Sequence, residues 1–192
     1  MRKPSFSMSA VCLCLSSVIS MAAQSSSPQT TLPTAPAASA VSATAKPGDV
    51  DTIEHILAAT YDVISGPAGS RDWDRFRSLF YPGARLIPSH RDEKTNVVSA
   101  HALTPDEYIA RAGAFFSKEG FYEDTLANRI ETWDNIAHVW STYESRHAKG
   151  EKPFARGINS FQLMFDGTRW WVLTIYWEAE DAKHPLPEKF LK

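Results

Sequence analysis

The chain has 192 residues and a formal net charge of −2, with 43% apolar and 22% charged residues. These proportions are ordinary for a soluble globular protein of one domain with tails. Lysine and arginine are scattered among the acidic residues without a basic stripe, so we expect no nucleic-acid partner. The sequence also has no phosphate loop, dinucleotide fingerprint or His-Glu-x-x-His motif, and we expect neither a metal nor a cofactor.

The first 23 residues have the pattern of a signal peptide. Arg2 and Lys3 precede an apolar run over residues 8–19, and Ser20-Met21-Ala22 offers small residues for cleavage. The apolar run is shorter than the ~20 residues that a membrane-spanning helix needs, so we expect no stable membrane span. A lipid attachment at Cys14 is the weaker interpretation, because a leucine precedes it. We therefore expect a periplasmic or secreted protein whose mature chain has no cysteine.

Residues 24–48 consist mainly of serine, threonine, alanine and proline, which predicts a disordered linker. The domain is predicted to begin at Asp49 and to run to residue 192. Asp49 is the expected cap of a helix whose apolar residues recur at helical spacing up to Ile64. A second, short helix is predicted to start near Asp72. Thr104-Pro105-Asp106-Glu107 is a capping box that predicts the start of a third helix.

After Gly120 the apolar periodicity changes from helical to alternating, which predicts strands. One hairpin is predicted from residues 128–133 and 136–147 around Asp134-Asn135, and a second from residues 156–180 around Asp166-Gly167. Residues 84–87 and 97–102 are expected to form short strands, separated by a polar loop. The predicted fold class is α+β, a cone-shaped curved antiparallel sheet with three helices packed on its concave face.

The last hairpin allows two registers, and only one of them separates its side chains by polarity. A three-residue turn of Phe165, Asp166 and Gly167 pairs odd positions with odd positions. The inner face would then carry Phe161, Leu163, Trp171, Leu173, Ile175 and Trp177. In the preceding strand, the uncharged row Ala137, Val139, Ser141 and Tyr143 is expected to point inward.

Over residues 50–181, the chain resembles the nuclear-transport-factor-2-like, or SnoaL-like, cone fold. The matching segments are IEHILAATYDVISG, DWDRFRSLFYPGARLIP, TPDEYIARAGAFF, NIAHVWSTYESRH and RGINSFQLMFDGTRWWVLTIYWEAE. The resemblance implies a cone with an interior pocket. It leaves the activity open, because similar folds serve isomerases, dehydratases, epoxide hydrolases, cyclases, ligand binders and structural modules.

The catalytic residues of the characterised family members have no clear counterparts in this sequence. The ketosteroid isomerase-like members place an acidic base at the end of the short strand, and the corresponding position here is Pro88, which cannot take a proton. Dehydratase-like members use a tyrosine, a histidine and an aspartate, but no diagnostic spacing selects them here. His138 and His147 point to opposite faces of their strand and cannot share a metal.

We expect the polar ends of several side chains, together with aromatic rings, to lie close together inside the cone and to bind a small, largely apolar molecule. The expected ligand-binding residues are Tyr61, His90, Tyr108, Tyr143, Asn159 and Trp177. Two alternatives remain open. The chain could be a cofactor-independent lyase, isomerase or hydrolase that uses His90 with a tyrosine, or an interaction module with a filled cone.

The outer face of the sheet is predicted to carry a second group of aromatic residues. Trp140, Trp170 and Tyr176 would cluster there, and exposed aromatic clusters often mark protein interfaces. Many cone-fold proteins pair in this way, which the resemblance implies for this chain. We therefore expect a homodimer through this face.

Overall fold

The structure is a computed structural model, and it describes residues 44–192. The predicted signal peptide and most of the predicted linker lie outside the described residues, so both stay predictions. At the junction of the predicted linker and the domain, Pro47–Asp49 form a 3₁₀ turn.

Three α-helices precede most of the sheet: α1 (Ile53–Ile64), α2 (Trp73–Leu79) and α3 (Pro105–Phe116). Thr104 caps α3 in the predicted capping box. The predicted cap of α1 was wrong: the side chain of Thr52 accepts from the backbone of His55, whereas Asp49 pairs with Arg75 at 2.8 Å. No helix in the stretch 44–192 is long and apolar enough to cross a membrane.

Six strands form one curved, open sheet in the order β2-β1-β6-β5-β4-β3. Their bounds are β1 (Phe80–Arg91), β2 (Val98–Ala100), β3 (Tyr122–Trp133), β4 (Ile136–Arg146), β5 (Ala155–Phe165) and β6 (Trp170–Ala179). The four long strands β3 to β6 form the predicted antiparallel meander. The sheet is nevertheless mixed rather than wholly antiparallel, because β1 pairs with β6 in parallel.

The core lies between the helices and the concave face of the sheet. Ile56 and Leu57 of α1 and Phe76 of α2 are almost fully buried. The inward row of β4 is as predicted, with Ala137 and Val139 at 0% exposure. The helices therefore cover one face of the sheet, as the fold class requires.

The turn of the β5–β6 hairpin differs from the prediction. Phe165 pairs with Trp170, so the turn comprises residues 166–169, and Leu163 pairs with Val172. A bulge at Leu173 then restores the odd-with-odd register, so that Phe161 pairs with Ile175 and both are buried.

Near the turn, therefore, the inward residue is Val172, at 0% exposure, rather than Trp171 or Leu173. Trp170 packs against the core and does not belong to the outer face where it was predicted. Asp166 accepts from the backbone amides of Thr168 and Arg169 and so stabilises the longer turn.

The C-terminal segment 181–192 lies on the outer face of the sheet. The Thr142 hydroxyl donates to the carbonyl of Phe190, whose ring contacts Trp140 at 5.6 Å between centroids. Thr142 is only 1% exposed although it faces away from the core. Of the predicted dimer residues, Trp140 is thus partly covered by the chain itself, while Tyr176 remains 42% exposed. A homodimer through this face stays a prediction.

Gly157 and Gly113 allow a matched stability test, because a methyl group meets different surroundings at each. At Gly157 it would overlap the backbone oxygen of Glu178 and lie 2.6 Å from the Tyr143 hydroxyl oxygen, whereas at Gly113 its nearest contact is Trp73 at 3.6 Å. We expect Gly157→Ala to lower the free energy of unfolding by about 1–3 kcal/mol. Gly113→Ala should raise it by up to about 1 kcal/mol, because alanine favours the helix. Urea unfolding of both variants checks the opposite signs, and equal effects would contradict the close β5–β6 approach.

Candidate functional site

An interior chamber of about 120 Å³ lies in the cone between the helices and the sheet. We refer to it as the chamber. Its wall is mainly apolar, and the side chains that form it are Thr60, Tyr61, Ile64, Phe76, Leu86, Tyr108, Phe121, Glu123, Asn159, Phe161, Ile175 and Trp177. An apolar wall with a few polar groups is the usual composition of a small-molecule pocket.

Among residues 44–192, Glu123 supplies the only carboxyl group in the wall of the chamber. It lies at the start of β3, opposite Ser145 of β4 in the register of the sheet. The Ser145 hydroxyl donates to Glu123 Oε2 at 2.8 Å, and Asn159 Nδ2 lies 3.4 Å from Oε1. Side chains from β4 and β5 therefore hold the carboxyl group in position.

Tyr61 extends the same hydrogen-bond network from α1. Its hydroxyl lies 2.6 Å from Ser141 Oγ and accepts from Asn159 Nδ2 at 3.0 Å. Asn159 thus links the phenol to the carboxyl group. Four elements of the fold, α1, β3, β4 and β5, contribute to this network at one polar edge of an otherwise apolar chamber. Buried hydrogen-bond networks of this kind hold their members in defined positions.

Burial raises the pKa of Glu123 to about 7, because the charged carboxylate loses hydration that the surrounding protein only partly replaces. Hydrogen bonds from Ser145 and Asn159 act in the opposite direction but are the smaller effect. The residue as a whole keeps partial solvent exposure. Near neutral pH, Glu123 therefore exists in both protonation states, and the group can accept or release a proton.

Burial also raises the pKa of the phenols of Tyr61, Tyr108 and Tyr143, and the negative charge of Glu123 adds to the shift in each case. These phenols consequently stay protonated at neutral pH and can donate hydrogen bonds. Neutral donors around a single titratable acid are a suitable arrangement for holding a polar atom of a ligand.

Four of the six sequence-predicted residues line the chamber: Tyr61, Tyr108, Asn159 and Trp177. Tyr143 is buried on the inner face of β4 but is not part of this wall. His90 is exposed on β1, opposite Ser99 of β2, and does not reach the chamber. His90 and a tyrosine therefore do not meet in the wall of the chamber.

An open groove of about 1000 Å³ adjoins the chamber. Tyr61 and Glu123 line both spaces, so these two side chains form the wall between them. Asp62 and Glu151 are among the polar residues of the groove. Glu123 is thus close to solvent on one side and to the apolar chamber on the other.

Glu123 was not predicted as a site residue, because strand β3 begins six residues before the predicted strand and contains a bulge at Leu126. Alternation counted back from the half-buried Ile130 would place Asp124 inside and Glu123 outside. The bulge reverses that parity. The sequence signal that could have indicated a polar partner here is Ser145, which continues the inward row of β4 and pairs with Glu123.

The raised pKa of Glu123 predicts a pH-dependent stability. Between its ordinary pKa of 4.5 and about 7, the folded protein holds a proton that the unfolded chain releases, so the free energy of unfolding falls as pH rises through this window. At 1.36 kcal/mol per pKa unit, the total loss is at most about 3 kcal/mol. We expect Glu123→Gln to be more stable than wild type at pH 8 and similar at pH 4, measured by urea unfolding. The exposed Glu119→Gln is the control, and a parallel pH profile for wild type and Glu123→Gln would contradict the assignment.

Comparisons with known proteins bear on the fold only. No family model and no curated protein sequence matches this chain. Solved structures match at low sequence identity. A Nostoc punctiforme protein of unknown function with a cystatin-like fold has a TM-score of 0.52 at 10% identity, over 68% of this chain and 90% of its own.

Two further structures give the same result. A proposed dehydratase from the NTF2-like family of Streptomyces avermitilis has a TM-score of 0.52 at 11% identity, over 70% of this chain and 97% of its own. An NTF2-like protein of unknown function from Pseudomonas putida has a TM-score of 0.52 at 9% identity, over 70% of this chain and 90% of its own. The order of elements, the curved sheet and these matches together identify the domain as an NTF2-like cone fold, as the resemblance in the sequence implied.

Proposed function

We propose that the protein binds a compact, largely apolar small molecule in the chamber, with one polar atom of the ligand facing Tyr61 and Glu123. The observation that carries this proposal is the chamber itself, because its apolar wall has a single polar edge. The same cavity is the observation against the alternative of a cone filled by its own side chains.

The size of the chamber limits the ligand. Typical pockets for drug-sized molecules measure ~300–1,000 Å³, whereas an engineered apolar cavity of ~150 Å³ accepts benzene. At about 120 Å³, the chamber is suited to a single ring or a short branched chain. A larger ligand would have to extend past Tyr61 and Glu123 into the adjoining groove.

The polar edge supports recognition of a hydroxyl or carbonyl oxygen. The Tyr61 hydroxyl and the protonated form of Glu123 are donors, and the ionised form of Glu123 is an acceptor. A ligand without any polar atom would leave these groups without a further partner. We therefore expect small phenols and cyclic ketones to bind better than hydrocarbons of the same shape.

Tyr61→Phe and Tyr143→Phe form a matched pair that tests this recognition. Each removes the hydroxyl of a buried tyrosine, but only Tyr61 lines the chamber. We expect phenol to bind Tyr61→Phe about five- to tenfold more weakly than wild type, because one hydrogen bond is lost. Tyr143→Phe should bind within twofold of wild type. Titration calorimetry with phenol and toluene measures these affinities.

Two results would count against the chamber as the binding site. One is the absence of saturable binding for every single-ring compound tested. The other is an equal loss of phenol affinity in both tyrosine variants, since that would trace the effect to general loosening of the core.

A second candidate function is proton transfer without a cofactor, as in an isomerase or a lyase. The observation that favours it is Glu123, whose pKa of about 7 suits a general base at neutral pH. This candidate uses the glutamate in place of His90, which is exposed on β1. The nearby phenols would stabilise negative charge that develops on a carbonyl oxygen.

Hydrogen exchange of a small ketone tests this candidate without knowledge of the natural substrate. In deuterated water, proton NMR measures loss of the α-hydrogens of cyclopentanone. We expect exchange in wild type to rise with pH through about 7 and then to level, because the ionised Glu123 is the base. Glu123→Gln should reduce the protein-dependent rate about 10²- to 10⁴-fold. Exchange no faster than in buffer, or full activity in Glu123→Gln, would exclude this proton transfer for such ketones.

A further inference from the structure

We propose that the Tyr108 hydroxyl is a second anchor point in the chamber, so that the ligand is a compact ring with a polar atom at each of two opposite positions. One of these atoms would meet the polar edge at Tyr61 and Glu123, and the other would meet Tyr108. This inference rests on the function proposed for the chamber, because it defines the class of ligand that the same space takes.

Tyr108 lies in the aromatic part of the chamber wall. It belongs to α3, and its ring stacks on Phe76 of α2 at 5.4 Å between centroids. Trp177 of β6 meets the same ring edge to face at 6.3 Å. Aromatic contacts from a helix and a strand thus hold the phenol in one place, which is what an anchor for a ligand requires.

The Tyr108 hydroxyl has no hydrogen-bond partner among residues 44–192. Its pKa is raised by burial and by the charge of Glu123, and no hydrogen bond contributes to the shift. By contrast, the Tyr61 hydroxyl has two partners in the polar edge, and the Thr60 hydroxyl donates to the carbonyl of Ile56 at 2.7 Å. Within the described part of the wall, Tyr108 therefore supplies the hydroxyl that remains free for a ligand.

The free hydroxyl is also accessible. Two side-chain atoms in the stretch 44–192 lack a partner and are closed off completely, and these are Nε of Arg91 and Nε of Arg156. Tyr108 is not among them, so its hydroxyl keeps accessible surface although the phenol lies inside the cone. Because Tyr108 forms part of the chamber wall, a molecule in the chamber can reach this oxygen. A buried hydroxyl without a partner is unfavourable, and a ligand oxygen would supply the missing partner.

The polar edge and Tyr108 lie on opposite sides of the chamber. Tyr61 comes from α1, which packs on β3, whereas Tyr108 comes from α3, which packs on β1. These two strands lie near opposite ends of the sheet. The charge of Glu123 nevertheless acts on Tyr108, so both groups face the same space. A ligand that meets both must therefore span the chamber.

A ring with oxygen atoms at opposite positions suits these two points. At about 120 Å³, the chamber is suited to a single ring. An oxygen at one end can accept from Tyr108, and an oxygen at the other end can meet Tyr61 and Glu123. Rings of the hydroquinone or cyclohexane-1,4-dione type have this arrangement, whereas phenol meets one anchor and toluene meets neither. The chemical class is thus a small ring with two oxygens in para positions.

Hydroquinone and 4-methylphenol test the second anchor, because they have nearly the same shape and differ in one oxygen atom. Titration calorimetry under nitrogen at pH 6 gives both affinities for wild type, Tyr108→Phe and Tyr143→Phe. The readout is the ratio of the two affinities, since the cost of dehydrating each probe is the same for every variant. We expect Tyr108→Phe to lower the preference for hydroquinone about five- to tenfold, because one hydrogen bond is lost. Tyr143→Phe, whose hydroxyl is outside the chamber wall, should leave the ratio within twofold of wild type.

Two further measurements do not depend on this ratio. Tyr108→Phe removes a hydroxyl that has no partner in the protein, so it should unfold at the same urea concentration as wild type or at a higher one. Tyr61→Phe removes a hydroxyl with two partners and should unfold at a lower urea concentration. In wild type, hydroquinone should bind about three- to tenfold more tightly than catechol, whose adjacent hydroxyls cannot reach both sides of the chamber.

The outcomes distinguish the second anchor from the binding function itself. A fall in the ratio that is confined to Tyr108→Phe supports the second anchor. An unchanged ratio in that variant, an equal fall in Tyr143→Phe, or catechol that binds as tightly as hydroquinone would overturn it. In each of these cases, saturable binding of 4-methylphenol would still support the chamber as a binding site. Absence of binding for all three probes would overturn both proposals.

Discussion

The hydrogen bonds that hold the Glu123 carboxyl group inside the cone are the constraint on which the site depends. Ser145 donates to one oxygen, Asn159 approaches the other, and Asn159 in turn donates to Tyr61. An isolated carboxylate in an apolar interior would be costly, and the fold accommodates it by partnering the group and raising its pKa to about 7. Because the partners come from α1, β4 and β5, the polar edge can form only when helix and sheet are both in place.

Short-range sequence signals predicted the local elements well. The capping box at Thr104, the turn at Asp134-Asn135 and the inward row of β4 are all present in the structure. Each depends on residues that are close in the chain or on strict alternation within one strand. The cone fold also followed from the order of these elements, and four of the six expected pocket residues meet in the chamber.

Two bulges explain most of what could not be predicted. The irregularity at Leu126 turns Glu123 inward, and the one at Leu173 exchanges Trp171 for Val172 on the inner face. A bulge inserts one residue and reverses the parity of everything beyond it, yet it has no reliable signature in a single sequence. Likewise, the distance of His90 from the chamber depends on the length of β1, which extends to Arg91. These features are decided by packing between strands rather than by residue type.

The parallel pairing of β1 with β6 has a consequence for how the chain folds. Phe80 lies beside Val172 and Pro88 beside Trp177, so partners about ninety residues apart must meet. The hairpins of β3 to β6 close over short loops, whereas the β1–β6 pair closes a long one at a higher entropic cost. The meander can therefore form before β1 docks, and the buried faces of α1 and α2 lack part of their cover until β6 has been synthesised. The N-terminal helices of this domain can therefore complete their packing only after its last strand has been synthesised.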